Sequence, residues 1–196
     1  MSSRETILRS IRQHLPESAP LPDLDGPWIT FPDPIAQFAK VLEMIGGQCI
    51  RVPEVAAING ELESLPVYVS STKTLSRIPG VGTTNCELEG VDNPHDLEDI
   101  DFAILPGEFA VAENAAVWVT DGGLKHRVVY FLCQHLSLVV PASEVVHNLA
   151  EAYRRIRFPQ AQFGGFIAGP SKTADIEQSL VIGAHGPKSM TVFLVG

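Results

Sequence analysis

Six side chains able to accept, donate or carry charge crowd the last third of the chain. Ser171, Lys172, Thr173, Asp175 and Glu177 follow Gly169-Pro170, and His185 stands between Gly183 and Gly186-Pro187. An apolar run, 164–168, leads in and another, 190–195, leads out. A buried strand that stops at Gly-Pro and releases polar residues is how an open α/β sheet places a site at the carboxyl ends of its strands. A helix starting near Ser171 or Thr173 would aim free N–H groups at a carboxylate or phosphate, with the two hydroxyls and Lys172 adding contacts. The bland alternative is a capped helix with Asp175 and Glu177 in its first turn. Two carboxylates in that turn repel an anion and favour hydroxyl recognition or acid–base work. The Gly-x-x-x-x-Gly-Lys spacing of a phosphate loop is absent. His185, flanked by glycine, reads as a loop imidazole, either a general acid–base or a structural hydrogen-bonder. Carboxylates at i and i+2 of a helix do not share a face, so no metal is expected.

Glu113 is the second focus. It stands alone among small apolar residues in Val111-Ala112-Glu113-Asn114-Ala115-Ala116-Val117. A carboxylate there is expected to be buried, paired or functional, and burial would raise its pKa toward proton transfer. An ordinary turn acid is the alternative. Lys125, His126 and Arg127 form a basic trio that could hold an anion or lie in a solvated loop. The spatial expectation is that Glu113 and residues 171–186 converge on one hollow at a sheet edge.

The elements that would position these residues follow from periodicity. Helices are expected over 5–15 and 35–45, from Pro53 to about Leu65, and from an N-cap at Ser143 to Arg157. Strands are expected at 49–52, 67–70, 102–105, 136–140, 164–168 and 190–195, with a short helix near Thr74. Short extended runs flank Glu113, and 126–134 fits helix or strand. Near-continuous apolar strands alternating with helices predict an α/β fold: three layers, with a largely parallel central sheet and helices on both faces. Residues 1–34, a helix and a Pro-rich stretch, read as an arm, and 35–196 as the α/β domain. The helix's apolar stripe has to dock at a distance or on a partner chain.

The 196 residues are 45% hydrophobic, enough for a sizeable core, and carry a formal net charge of −9, which argues against nucleic acid as a partner. No apolar run approaches the roughly 20 residues a membrane span needs. The first residues lack a secretory apolar segment. Cys49, Cys86 and Cys133 are too scattered for a disulfide framework, a zinc site or an iron–sulfur cluster. A cytoplasmic location is the simple expectation.

The stretch 169–177 together with Gly183-Ala184-His185-Gly186-Pro187 closely resembles the C-terminal signature of the lactate-utilization (LUD) domain family. The C-type branch fits best in size and in lacking cluster cysteines. The resemblance is strongest from about Phe102 onward. It implies a fold similar to the glucosamine-phosphate isomerase, ribose-phosphate isomerase and CoA-transferase group (NagB/RpiA/CoA-transferase-like). It also implies a role in oxidising L-lactate to pyruvate beside iron–sulfur partner proteins. Where the family has Ala-Glu-Thr-Gly followed by Ser or Thr, this chain has Ala112-Glu113-Asn114-Ala115-Ala116. The acid is kept; the hydroxyl and the glycine are not. The expected catalytic set is Glu113 or His185 moving the proton and Asp175 orienting a hydroxyl or His185, with Ser171, Lys172, Thr173, Glu177 and Gly186 holding a small acid or a phosphorylated cofactor. The fold analogy alone would equally suit an isomerase or transferase acting on a sugar phosphate or acyl-CoA. A non-catalytic assembly subunit is the third reading, and self-association of the chain is left open.

Overall fold

A computed structural model describes residues 2–16, 19–20, 25–157, 163–176 and 179–196, with backbone only for 174–176, 179 and 180. The first helix, α1 (Ser3–Gln13), opens with a capping box: Ser2 accepts from the Glu5 N–H, and the Glu5 carboxylate accepts from the Ser2 N–H. Its apolar residues Ile7 and Ile11 stay exposed, as does Leu15 just beyond it, so the expected docking is not made among the described residues.

The second helix, α2 (Pro34–Met44), has its proline in the first turn and its N-cap at Asp33, whose carboxylate accepts from Ala36 N at 2.9 Å. It buries Phe38 and Leu42 and ends before Gly46, which turns the chain at a φ of 85° into β1 (Gln48–Val52). The helix expected from Pro53 is split into a 3-10 turn at Val55–Ala57 and α3 (Ile58–Ser64).

Two short segments correct the expectations. Val67 to Ser70 is not a strand, because Pro66 sets a helical φ and opens the single turn α4 (Pro66–Val69). Tyr68 then packs edge-on against Phe102 with ring centres 5.1 Å apart. Thr74 begins a strand rather than a helix: β2 (Thr74–Ser76) pairs in parallel with β3 (Phe102–Pro106). A proline decides the first and tertiary pairing the second.

The chain continues through β4 (Phe109–Val111), β5 (Ala116–Thr120), the single turn α5 (Val129–Leu132), β6 (His135–Pro141), β7 (Val145–Val146) and α6 (Leu149–Arg155). It ends in β8 (Gly164–Ile167), β9 (Lys172–Ile176), β10 (Ser179–Ile182) and β11 (Ser189–Val195). Ser143 lies in a 3-10 turn, and the last of these helices starts instead at Asn148, whose side chain accepts from Glu151 N.

The central sheet has the order β1-β11-β6-β3-β2 and every pairing in it is parallel. One face packs Leu136, Leu138 and Val140 against α2 and against a second sheet of order β7-β4-β5-β8. The other packs Val139 and Phe193 against Ile58, Leu62 and Leu65. The outer face of the second sheet is closed by α6, with Phe109, Trp118 and Phe166 in contact. The expected α/β architecture, mainly parallel with helices on both faces, is therefore present. The second sheet was not legible as such. No described helix is long and apolar enough to cross a membrane.

Two positions expose the tolerances of this frame. Gly169, between β8 and β9, has a φ of 69°, and a Cβ there would stand 3.0 Å from the Ile45 side chain and 3.2 Å from its carbonyl. Gly80 shares the left-handed backbone (φ 75°) but has nothing within 4 Å. Gly169→Ala should cost about 2 kcal/mol or more and Gly80→Ala about 1, read as the shift in urea midpoint. Asp101 accepts from Thr72 N, Thr72 Oγ1 and Lys73 N at 2.8–2.9 Å, building the turn that starts β2. The backbone N–H of Lys73, then the Thr72 hydroxyl and N–H, hold its carboxyl below the usual carboxylate range. A depressed folded pKa gives stability that is complete above the unfolded value of about 3.9 and is lost as pH falls through the folded one. Stability measured from pH 5 downward should therefore fall less steeply in Asp101→Asn than in the parent chain.

Candidate functional site

Glu113 sits at the apex of the β4–β5 hairpin. Asn114 shapes the turn, its Oδ1 accepting from Ala116 N at 3.1 Å. Ala115 takes a φ of 56°, the left-handed region that favours glycine. The family's glycine at this position thus answers a backbone need that alanine meets under strain. Glu113 is exposed and not enclosed as expected, although Ala112 and Ala115 of the same turn are fully buried. Its Oε2 accepts from Leu149 N at 2.9 Å, and its own N–H donates to His147 O at 3.1 Å. The carboxylate therefore steadies the first turn of α6.

The same junction holds the N-terminal arm. Asn148 is 3% exposed; its Oδ1 accepts from Glu151 N and its Nδ2 donates to Ile29 O at 2.8 Å. Phe31 N donates to His147 Nδ1 at 3.1 Å. Between arm and helix lies a hollow of about 570 Å³, lined mainly by Trp28, Ile29, Leu149 and Tyr153, with Glu113 at its edge and an Asp25–Arg154 ion pair at 3.2 Å. The expectation of a Pro-rich arm carried no hint of this hollow. The signal was Trp28-Ile29, two large apolar residues in a stretch otherwise rich in proline.

The C-terminal stretch departs further from expectation. Lys172–Ile176 is a strand, paired antiparallel with Ser179–Ile182 through Thr173↔Val181 and Lys172↔Ile182. Among the described residues no helix N-terminus is present there to cradle an anion. Lys172 Nζ donates to the Ile45 carbonyl at the end of α2, where a cation complements the helix dipole. Ser171 is held through its backbone, its N–H donating to Pro187 O at 2.9 Å and its carbonyl accepting from Gly183 N at 3.0 Å. Gly186 packs so closely that a Cβ would lie 2.9 Å from Ser171 Cβ. Thr173 is half-buried and His185 exposed. The Asp175 side chain and all of Glu177 lie outside the described residues. Ser171, Lys172, Gly186 and the loop carrying His185 are thus brought together, but none of them lines the Glu113 hollow. The expected single hollow is two separate places.

The basic trio is engaged in structure. Lys125 Nζ donates to Glu89 O at 2.8 Å and pairs with Asp92, His126 Nε2 meets Val91 O at 2.7 Å, and Arg127 lies 5.2 Å over the Phe163 ring. Burial pushes the Cys49 thiol up to about 11 and the Cys133 thiol up to about 12, so neither is a ready thiolate at neutral pH.

Asn148→Ala should lower stability by about 2 kcal/mol, losing a helix cap and leaving the Ile29 carbonyl without its donor. Limited proteolysis should then cut the arm at 25–31 faster than in Glu113→Gln, which keeps an acceptor for Leu149 N.

The LUD domain model matches residues 85–195, the span that holds Glu113 and the C-terminal hairpin. Lactate utilization protein C 1 of Bacillus mycoides (strain KBAB4) is 35% identical over 119 residues, covering 54% of this chain and 50% of that one. Lactate utilization protein C of Geobacillus kaustophilus (strain HTA426) is 32% identical over 113 residues, covering 54% and 47%. That of Halalkalibacterium halodurans is 32% identical over 96 residues, covering 46% and 42%. The chain spans about half the length of the curated relatives it matches. A solved structure of a DUF162 family protein from Deinococcus radiodurans superposes with a TM-score of 0.60 at 14% identity, covering 83% of this chain and 96% of that one, which supports the fold. With more than half of its length matched by the family model, this chain belongs to the LUD domain family.

Proposed function

We propose that the chain works in lactate utilization, as a component of a system oxidising L-lactate to pyruvate in the cytoplasm. The observation that carries this reading is the 30–35% identity, over about half of this chain, to proteins named lactate utilization protein C, beside the LUD domain match over residues 85–195. The oxidation releases two electrons and two protons. On this reading iron–sulfur partner proteins take the electrons, because three scattered cysteines, one of them fully buried with a raised pKa, do not make a cluster site. On this reading Ser171 and Thr173 meet the acid group of a small hydroxy acid, Asp175 and Glu177 serve its hydroxyl and His185 moves its proton, while Lys172 and Gly186 shape the hairpin's base. Glu113 serves by positioning α6 and the arm.

A second reading, a non-catalytic assembly subunit, is favoured by one observation: Ile7, Ile11, Trp28 and Ile29 are each 45% exposed or more. An arm formed by residues 1–34 would cover that surface with a partner.

Growth on L-lactate as sole carbon source separates these readings. A host strain lacking the gene should fail to grow and recover with the parent chain. His185→Ala should fail to restore growth if the hairpin meets substrate; removal of residues 2–34 alone should fail if the arm recruits a partner. Unimpaired growth of the deletion strain, or lactate turnover by the purified chain without any acceptor, would overturn the proposal.

A further inference from the structure

The amino ends of β2, β3, β6 and β11 enclose a polar hollow of about 540 Å³, on the edge of the sheet opposite the one where α/β folds usually bind ligands. Five charged side chains line it, and most are already spoken for. Lys73 pairs with Asp99. Asp101 takes three donors from Thr72 and Lys73. Lys188 and Glu98 are left: both line the hollow, both are exposed, and among the described residues neither joins an ion pair, with each other or with another group.

His135 stands between these charges in chemistry. Its Nδ1 meets Ser189 Oγ at 2.7 Å, and its ring lies tilted over Phe102 at 6.3 Å, so the imidazole is fixed from two sides. Burial, then the charge of Lys188, lowers its pKa below the ordinary 6.5, against the opposing pull of Asp101. Both effects favour the neutral imidazole. With Nδ1–H donating to Ser189, Nε2 carries a lone pair able to accept from a ligand.

The polar character continues inward. Residues two apart on a strand share a face, so Ser137 and Thr191, partners in register, follow His135 and Ser189 beneath the hollow. Ser137 is fully buried, and its Oγ has no hydrogen-bond partner among the described residues. An apolar pair would sit there at lower cost, since an orphaned hydroxyl loses its hydration without return.

We propose that this hollow binds a small zwitterion, a neutral α-amino acid or close analogue. Its carboxylate meets Lys188, and its ammonium lies between Glu98 and His135 Nε2. A fixed anion alone would leave Glu98 opposed to it, and a simple amine would leave Lys188 unanswered. A ligand with both charges answers each without changing the net charge of the site. This inference is independent of the lactate reading.

Isothermal titration of the full chain with alanine, serine and glutamine tests it, with ethylamine and lactate as analogues that each lack one charge. At least one amino acid should bind saturably at millimolar concentration or below, and the matching single-charge analogues should bind about tenfold or more weaker. Lys188→Ala and Glu98→Gln, both at exposed positions, should each weaken binding about tenfold or more with an unchanged unfolding midpoint. No saturable binding by any of the three amino acids would overturn the proposal. So would lactate binding as tightly as alanine, or undiminished binding by Lys188→Ala.

Discussion

The structure depends on the burial of β6 on both faces. Leu136, Leu138 and Val140 fill one side and Val139 the other, and this cover on both faces is what a parallel sheet requires of its central strand. That places β11 and β3 beside it and sends the connections over both faces. Polar chemistry is then expelled to the two ends of the sheet and to elements outside it. The Glu113 junction, the β9–β10 hairpin and the amino-edge hollow all lie where the apolar pairing runs out.

What the second sheet adds is reach. By packing β4 and β5 against the central layer, it carries Glu113 out to the first turn of α6, where its carboxylate meets Leu149 N. Asn148 then links that turn to Ile29 in the arm. An acid that resembled a buried proton carrier is, by its geometry, the joint between the hairpin and the following helix. The hairpin 172–182 is tied to a different neighbour, the end of α2, through Lys172 and Gly169. The Glu113 turn and the hairpin are thus anchored to different helices, α6 and α2.

The sequence made the core strands plain, because Phe102 to Leu105, Leu136 to Val140 and Met190 to Val195 are apolar without interruption. Fold class follows from those runs. The misreadings have separate causes. At Val67-Tyr68-Val69, strand-forming types follow a proline that commits the backbone first. At Ser171 to Ile176, hydroxyls and acids imitate a helix start, whereas Thr173 and Ile176 are β-branched and a matching run, Ser179 to Ile182, lies just beyond. Glu113 looked buried because its neighbours are apolar, but it is the exposed residue of a turn whose Ala112 and Ala115 are buried, with its carboxylate reaching Leu149 N. His135 and its partner Ser189 lie 54 positions apart, so no local spacing in the sequence pairs them. The left-handed Ala115 could be anticipated only by comparison with the family's glycine.

The central claim is that the signature 171–186 is built on an antiparallel hairpin, apart from Glu113. Backbone nuclear Overhauser contacts across residues 172–182 test it most directly. The account predicts strong cross-strand contacts between Thr173 and Val181, and none linking the side chains of Glu113 and His185. A run of sequential amide–amide contacts typical of a helix from Ser171 to Glu177, or a direct contact between Glu113 and His185, would contradict it.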